Sequence, residues 1–179
     1  LSIQRIADEA NLSKSTFYHH FDGKDDLLLS FLEDILAEFD RVFQLESSGD
    51  PVADLRTFIG IIFGDLPTVE ELPATEEMPS VEEVLDAYLE LRAQAVRNPE
   101  FRAAFTETDQ EFAERVAGLI EEGIEKGVFA DVDADRTAQF LLTTIDGTVL
   151  QNAAREDDPL PEMRAAIDTY IQRQLLTEE

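Results

Sequence analysis

The chain has 179 residues, no cysteine and a formal net charge of −26, from 40 acidic and 14 basic residues. Without cysteine it can form neither disulfide bonds nor thiolate metal sites. It has no run of about 18 apolar residues that could cross a membrane, and no signal-peptide pattern is visible. We therefore expect a soluble cytoplasmic protein, long enough for one good core or two small ones.

The negative charge is unevenly distributed. Residues 1–24 hold three basic and three acidic residues, which leaves 11 basic and 37 acidic residues in 25–179. The neutral segment 1–24 is therefore the region that a polyanion such as DNA can approach, because the rest of the chain repels it. The excess of carboxylates with only three lysines also resembles proteins of salt-accumulating halophiles, in which salt screens the repulsion. An ordinary acidic mesophilic protein is the alternative.

Residues 1–21 predict two short helices joined by a tight turn. Apolar residues recur at helical spacing over 3–10, and Asn11 accepts the positive φ that a sharp turn needs. In the second helix Phe17 and Phe21 share the buried side. Its remaining surface carries Lys14, Ser15, Thr16, Tyr18 and His19. A short helix with such a polar face, placed after a tight turn, is how a helix-turn-helix reads the DNA major groove.

Residues 6–21 read Ile-Ala-x-x-Ala-x-Leu-Ser-Lys-x-Thr-Phe-Tyr-His-His-Phe, followed by Lys24 and Asp-Asp-Leu at 25–27. This pattern resembles the DNA-binding motif of the tetracycline-repressor (TetR) family of transcriptional regulators. Asn11 stands where the family usually has Gly, and Gly23 where Ser or Asn usually caps the next helix. The family also has a helix before the motif, so we expect that helix to be missing from the numbered chain.

The resemblance implies an N-terminal DNA-binding domain, which we place at residues 1–45 together with its connecting helix. Six side chains are expected to contact operator DNA. The phosphate contacts are assigned to Lys14, Tyr18 and Lys24, and the base-edge contacts to Ser15, Thr16 and His19. His19 and His20 could instead be metal ligands, but adjacent side chains diverge by about 100° on a helix. No third ligand is evident, so we expect no metal.

The rest of the chain has helical periodicity without strand alternation, so the predicted fold is all-α. A long amphipathic helix at 24–45 leaves the DNA-binding unit and enters the next domain, with the boundary at 47–51. Further helices are predicted at 51–66, 81–97, 98–127, 134–156 and 160–176. The third of these could equally be two helices broken near 106–109. The Pro- and Glu-rich stretch 67–80 predicts a solvated loop or a lid.

Residues 46–179 are expected to form a helical ligand-binding and dimerisation domain. The aromatic residues there are most simply core, but the resemblance implies a pocket for a small apolar molecule. The candidate pocket residues are Phe58, Ile62, Tyr88, Phe105, Phe112 and Phe140. The last two helices are expected to pack against their symmetry mates in a homodimer. The candidate interface residues are Leu141, Ile145, Gly147, Thr148, Ile167, Tyr170 and Ile171.

These patterns predict a one-component transcriptional regulator, a repressor whose DNA affinity is lowered by an apolar ligand. An enzyme is not expected, because the chain has no glycine-rich phosphate loop, no nucleophile with a base at recognisable spacing and no Glu-x-x-His pair. No cofactor is expected either. The alternative is a helical dimeric protein-interaction module that has lost DNA binding, which buried Lys14, Tyr18 and Lys24 would favour.

Overall fold

The computed structural model describes residues 19–33, 48–63 and 81–177, and these residues are arranged as an all-α fold. One isolated antiparallel bridge, between Phe129 and Leu176, is the β-pairing found among them. The helices are α1 at 24–33, α2 at Pro51–Ile62, α3 at Val81–Ala95, α4 at Pro99–Glu125, α5 at Ala134–Ala154 and α6 at Leu160–Tyr170. Helix α6 continues into a π-helical turn at Ile171–Leu175. Of the helices described, none is long and apolar enough to span a membrane.

The predicted all-α class is confirmed, and helix α4 resolves the open choice of one helix or two. It runs without a break through 106–109. Helix α2 is shorter than predicted and ends at Ile62, with Phe63 as its C-cap. The helix predicted at 24–45 is described only at 24–33, and the stretch 67–80 lies outside the described residues.

Short polar side chains begin three of these helices, in the way that the sequence suggests. The Asp50 carboxylate accepts hydrogen bonds from the N–H groups of Val52 (3.0 Å) and Ala53 (3.4 Å). Asn98 and Asp133 cap α4 and α5 in the same way. Proline follows Asp50 and Asn98 at the first helical position, where its fixed φ suits the helix and its missing N–H costs nothing.

The apolar residues form two separate cores. The larger one joins α2, α4, α5 and α6, and its fully buried members include Leu55, Ile120, Leu141, Ile145 and Ile171. The smaller one is made by Leu32 of α1 with Leu91, Phe101 and Phe105. Leu28, Leu29 and Tyr88 pack against it. The second core is therefore where α1 is attached to α3 and α4.

The turn between α4 and α5 is closed by an aromatic ring against a glycine. Helix α4 ends at Glu125 with Lys126 as its C-cap. The next residue, Gly127, has a φ of 73°, the left-handed conformation that glycine adopts readily. Just beyond it, the buried ring of Phe129 lies so close to Gly123 that any Cβ at 123 would overlap it. The segment after the π-helical turn covers this region, because Leu175 O accepts the Ala130 N–H and Val128 O accepts the Thr177 N–H.

We predict that Gly123→Ala lowers the free energy of unfolding by about 1–3 kcal/mol, because the new methyl group must push the Phe129 ring aside. Gly118→Ala is the matched control on the same helix, where a Cβ meets no atom of another described element within 4 Å. That variant should gain up to about 1 kcal/mol from helix propensity. Urea unfolding of both variants measures the difference, and equal stability would contradict the Phe129 contact.

Candidate functional site

Two of the six predicted DNA contacts, His19 and Lys24, fall within the described residues. Lys14, Ser15, Thr16 and Tyr18 lie outside them, so their contacts stay predictions. His19 is exposed and its ring meets the ring of His20 edge-on, with centroids 5.4 Å apart. His20 is exposed as well. Lys24 is half-buried at the first position of α1, which does not favour the protein-interaction alternative.

The start of α1 is fixed by hydrogen bonds on two sides. Gly23 O accepts the Leu27 N–H at 3.2 Å, which makes Gly23 the N-cap residue. The Asp26 carboxylate accepts the Asp22 N–H at 2.9 Å and so holds the segment that leads in from the recognition helix. On the other side, Asn98 Nδ2 donates to the Asp25 carboxylate at 3.4 Å. The first turn of α1 is thus tied both to the predicted DNA reader and to the N-terminus of α4.

Arg92 of α3 forms an ion-pair cluster that joins three helices. Its guanidinium donates to both carboxylate oxygens of Asp109 on α4, at 3.1 and 2.7 Å, and to Asp146 on α5 at 3.0 Å. The guanidinium carbon also lies 4.8 Å from the ring centre of Phe105 and 5.3 Å from that of Tyr88. Both distances are within the range of cation–π attraction. We call these five residues the Arg92 cluster.

Burial and charge shift the pKa of three groups in the Arg92 cluster. Burial lowers the pKa of Arg92, but the hydrogen bond to Asp109 and the charges nearby outweigh it, so that this pKa is raised above its ordinary value. Burial, with the nearby Asp146 and Asp109 carboxylates, raises the pKa of Tyr88 above its ordinary value, although Arg92 opposes the shift. Burial likewise raises the pKa of Asp146 against the opposing effect of Arg92. The guanidinium therefore sits between two carboxylates and two rings, and without it the ionised carboxylates would face each other across a half-buried space.

The six predicted pocket residues do not line one common site. Phe58 and Phe112 meet edge-on in the larger core, with ring centres 5.9 Å apart, and Ile62 packs there too. Tyr88 and Phe105 form a second pair at 5.4 Å, against the smaller core. Phe140 belongs to neither, because its side chain is 51% exposed on the outer face of α5, next to Tyr170. The grouping of all six in one pocket is corrected to two inner aromatic pairs, Phe58 with Phe112 and Tyr88 with Phe105, with Ile62 beside the first pair and Phe140 outside both.

Most of the predicted interface residues are core residues of a single chain. The buried ones are Leu141, Ile145, Thr148, Ile167 and Ile171. Four of them belong to the larger core, and the Thr148 hydroxyl donates to Thr144 O within α5. Their side chains are therefore already covered within one chain. Gly147 and Tyr170 are half-buried, and on α5 the exposed large apolar residues are Phe140 and Leu150. The outer face that these four residues share is called the outer α5–α6 face.

The sequence reading missed the Arg92 cluster altogether. A usable signal existed, since Arg92 lies one turn after Tyr88 on the apolar side of α3. Asp146 similarly lies beside Ile145 and near Val149 on α5. Opposite charges at the edges of apolar stripes indicate an ion pair between helices, but the sequence does not tell which helices are neighbours. Among the described residues, no group of three or more His, Asp or Glu is arranged to hold a metal ion.

The whole chain is similar to known regulators. Residues 70–176 match the family described as "BetI-type transcriptional repressor, C-terminal", and residues 1–31 match "Bacterial regulatory proteins, tetR family". A TetR transcription regulator from Haloarcula marismortui has a crystal structure that superposes with a TM-score of 0.81 at 32% identity, over 98% of this chain and 87% of that one. A transcriptional regulator from Saccharomonospora viridis, solved in complex with choline, gives the same TM-score and coverage at 24% identity.

The HTH-type transcriptional repressor KstR2 of Rhodococcus jostii is 26% identical over 148 residues, which is 80% of this chain. The chain spans 65% of the length of that repressor. The family matches cover the helix-turn-helix pattern at one end and the helical domain at the other, so the resemblance inferred from residues 6–27 is confirmed. The chain belongs to the TetR family of transcriptional regulators.

Proposed function

We propose that the chain is a one-component transcriptional repressor that binds operator DNA as a homodimer in the cytoplasm and is released by a small apolar ligand. TetR-family regulators act as dimers on operator DNA. The observation that carries the proposal here is the burial of Leu32, on the helix that follows the recognition segment, among Leu91, Phe101 and Phe105. A change in that core reaches the DNA-binding residues through a single helix.

The dimer is proposed to form through the outer α5–α6 face. Phe140 and Leu150 are 51% and 58% exposed, and Phe140 already pairs with Tyr170 at 5.1 Å between ring centres. Phe140, Gly147 and Leu150 follow the helical spacing that places them on one side of α5. Burying such a stripe against its own symmetry copy would give the self-complementary contact of a two-fold dimer.

We expect Gly147→Leu to convert the dimer to a monomer, because in the described ranges a Cβ at 147 meets no atom within 4 Å outside its own helix backbone and chain neighbours. The larger side chain would then extend from the outer α5–α6 face and obstruct a partner. Gly118→Leu is the control, since it is equally unobstructed and lies on α4. Sedimentation velocity separates the outcomes. A dimeric Gly147→Leu protein would rule out this face.

The DNA contacts are proposed to divide into phosphate and base-edge contacts. Lys24→Ala should weaken binding to operator and random DNA alike, because a phosphate contact carries no sequence information. Thr16→Ala should weaken operator binding only, by about 1–3 kcal/mol. Fluorescence anisotropy with both DNAs at one fixed salt concentration measures each loss. If both variants lose the same affinity for operator as for random DNA, the division into phosphate and base-edge contacts is wrong.

The switch is proposed to start at the pair Tyr88 and Phe105. Phe105 shares the smaller core with Leu32, and packed interiors pass a displacement on because they are hard to compress. An apolar ligand that displaces either ring would therefore tilt α1. A small tilt matters, because the two recognition helices of a dimer must stay about 34 Å apart to fit successive major grooves.

The test of the switch is a calorimetric titration of an apolar ligand, found by thermal-shift screening, with and without operator DNA. Operator DNA should weaken ligand binding by the same factor by which the ligand weakens operator binding. The corresponding coupling free energy is typically about 1–3 kcal/mol. Tyr88→Ala should change the ligand affinity, whereas Phe140→Ala should not. Identical ligand affinities with and without operator would refute the coupling.

Because the Arg92 cluster holds α3, α4 and α5 around this site, we expect Arg92→Ala to lower the free energy of unfolding by about 1–3 kcal/mol. The variant leaves Asp109 and Asp146 without their shared cation. Arg155→Ala is the matched control, because Arg155 also forms a bidentate ion pair. Its Nε and Nη2 atoms donate to the Asp157 carboxylate at 2.7 and 2.6 Å, but on the open surface. It should leave urea unfolding unchanged. Equal effects of the two substitutions would contradict a structural role for the cluster.

A further inference from the structure

A cavity of about 320 Å³ lies between α2 and the C-terminal half of α6, and no member of the two inner aromatic pairs lines it. Helix α2 contributes Arg56, Ile59 and Gly60 to its lining, and α6 with its π-helical turn contributes Arg164, Asp168 and Gln172. Its volume is at the small end of the range found for sites that bind small molecules. The cavity therefore has room for a compact ligand.

The charge of this cavity is opposite to that of the protein. Two guanidiniums and one carboxylate give its lining a net positive charge, in a chain whose net charge is −26. Arg56 is exposed and forms no ion pair with any other residue in the described ranges. The negative net charge repels anions from most of the surface. The two arginines that line this cavity make the local electrostatic potential more positive.

The apolar part of the cavity lining comes from Ile59 and Gly60 of α2. Ile59 is only 5% exposed, and Gly60 is buried and offers no side chain to fill the space. On the opposite wall Arg164, Asp168 and Gln172 follow one another every four residues. The last of them lies in the π-helical turn, where Ile171 O accepts the Leu176 N–H at 2.8 Å. Such turns occur frequently at functional sites.

We propose that this cavity binds a small carboxylate anion with an apolar body. The guanidinium of Arg56, which can donate two parallel hydrogen bonds, matches the planar carboxylate, and Arg164 adds a second positive charge. The apolar body lies on Ile59 and Gly60. This site does not include Tyr88 or Phe105, where the proposed switch binds its apolar ligand. The two proposals can therefore be tested independently.

Three probes that differ mainly in charge test the proposal: benzoate, neutral benzamide and cationic benzamidine. Each is titrated into the full chain at one fixed potassium chloride concentration, with binding followed on the ligand by saturation-transfer NMR. Benzoate should bind at least about tenfold more tightly than benzamide, the equivalent of one charge-assisted hydrogen bond. Benzamidine should bind more weakly than benzamide. Equal binding of benzoate and benzamide would overturn the proposal.

Four variants locate the binding. Arg56→Gln and Arg164→Gln should each weaken benzoate binding by about tenfold. Asp168→Asn should strengthen it, by up to about fivefold, because a repelling charge leaves the cavity wall. Arg136→Gln is the control, since Arg136 pairs with Asp133 at the start of α5. A gain of affinity in Asp168→Asn cannot come from damage to the fold. Benzoate affinity that falls in the control as in Arg56→Gln, or that does not rise in Asp168→Asn, would refute the site.

Discussion

Leu32 is completely buried, although it belongs to the helix that directly follows the predicted DNA reader. Full burial of a leucine contributes about 1.5–3 kcal/mol to the free energy of unfolding. Here the residues that cover Leu32 are Leu91, Phe101 and Phe105 of the helical domain. The DNA-binding end and the helical domain therefore share an apolar contact that neither can satisfy alone. Since this core is separate from the larger one, its packing can change while the larger core stays intact. That separation is what a switch between two domains requires.

Three of the cations in the described part of this acidic chain lie where helices meet: Arg92, Arg102 and Lys126. Arg92 links three helices, and Arg102 donates to the carbonyl oxygens of Ala95 and Val96 at the end of α3. Lys126 bonds to Gly49 O at 2.7 Å, across from α4 to the approach to α2. Each of these cations satisfies carbonyl or carboxylate oxygens that would otherwise lie unpaired between elements. Most carboxylates in the described ranges are exposed, whereas the buried Asp54 accepts hydrogen bonds from Ser48 and Gly49. The halophilic interpretation of that acidic surface stays a prediction.

The sequence was sufficient for the caps and the class of fold, but not for the faces of the helices. Asp50 and Asn98 precede prolines, and such local signals act over a few residues, so the starts of α2 and α4 could be predicted. Helix α5 is apolar on two sides, and a pattern cannot tell which side meets its own chain. The inward side, with Leu141 and Ile145, was therefore taken for the dimer interface. Tertiary packing keeps the polar stretch within α4 helical, because Phe101 and Phe105 precede it in the smaller core and Phe112 follows it at the larger one. The Thr106 and Thr108 hydroxyls donate to carbonyls one turn back, a local bond that a helix tolerates.

The bridge between Phe129 and Leu176 has a consequence for synthesis of the chain on the ribosome. Helices α4 and α5 and the turn between them are made first, yet the main-chain groups of Val128 and Ala130 find their partners only in residues 175–177. Until those residues emerge, the Phe129 ring rests on Gly123 with one side uncovered. Domains form progressively as they are translated, so the helical domain can close only in its last step. A nascent chain halted before residue 171 would carry an open apolar edge that chaperones and proteases recognise.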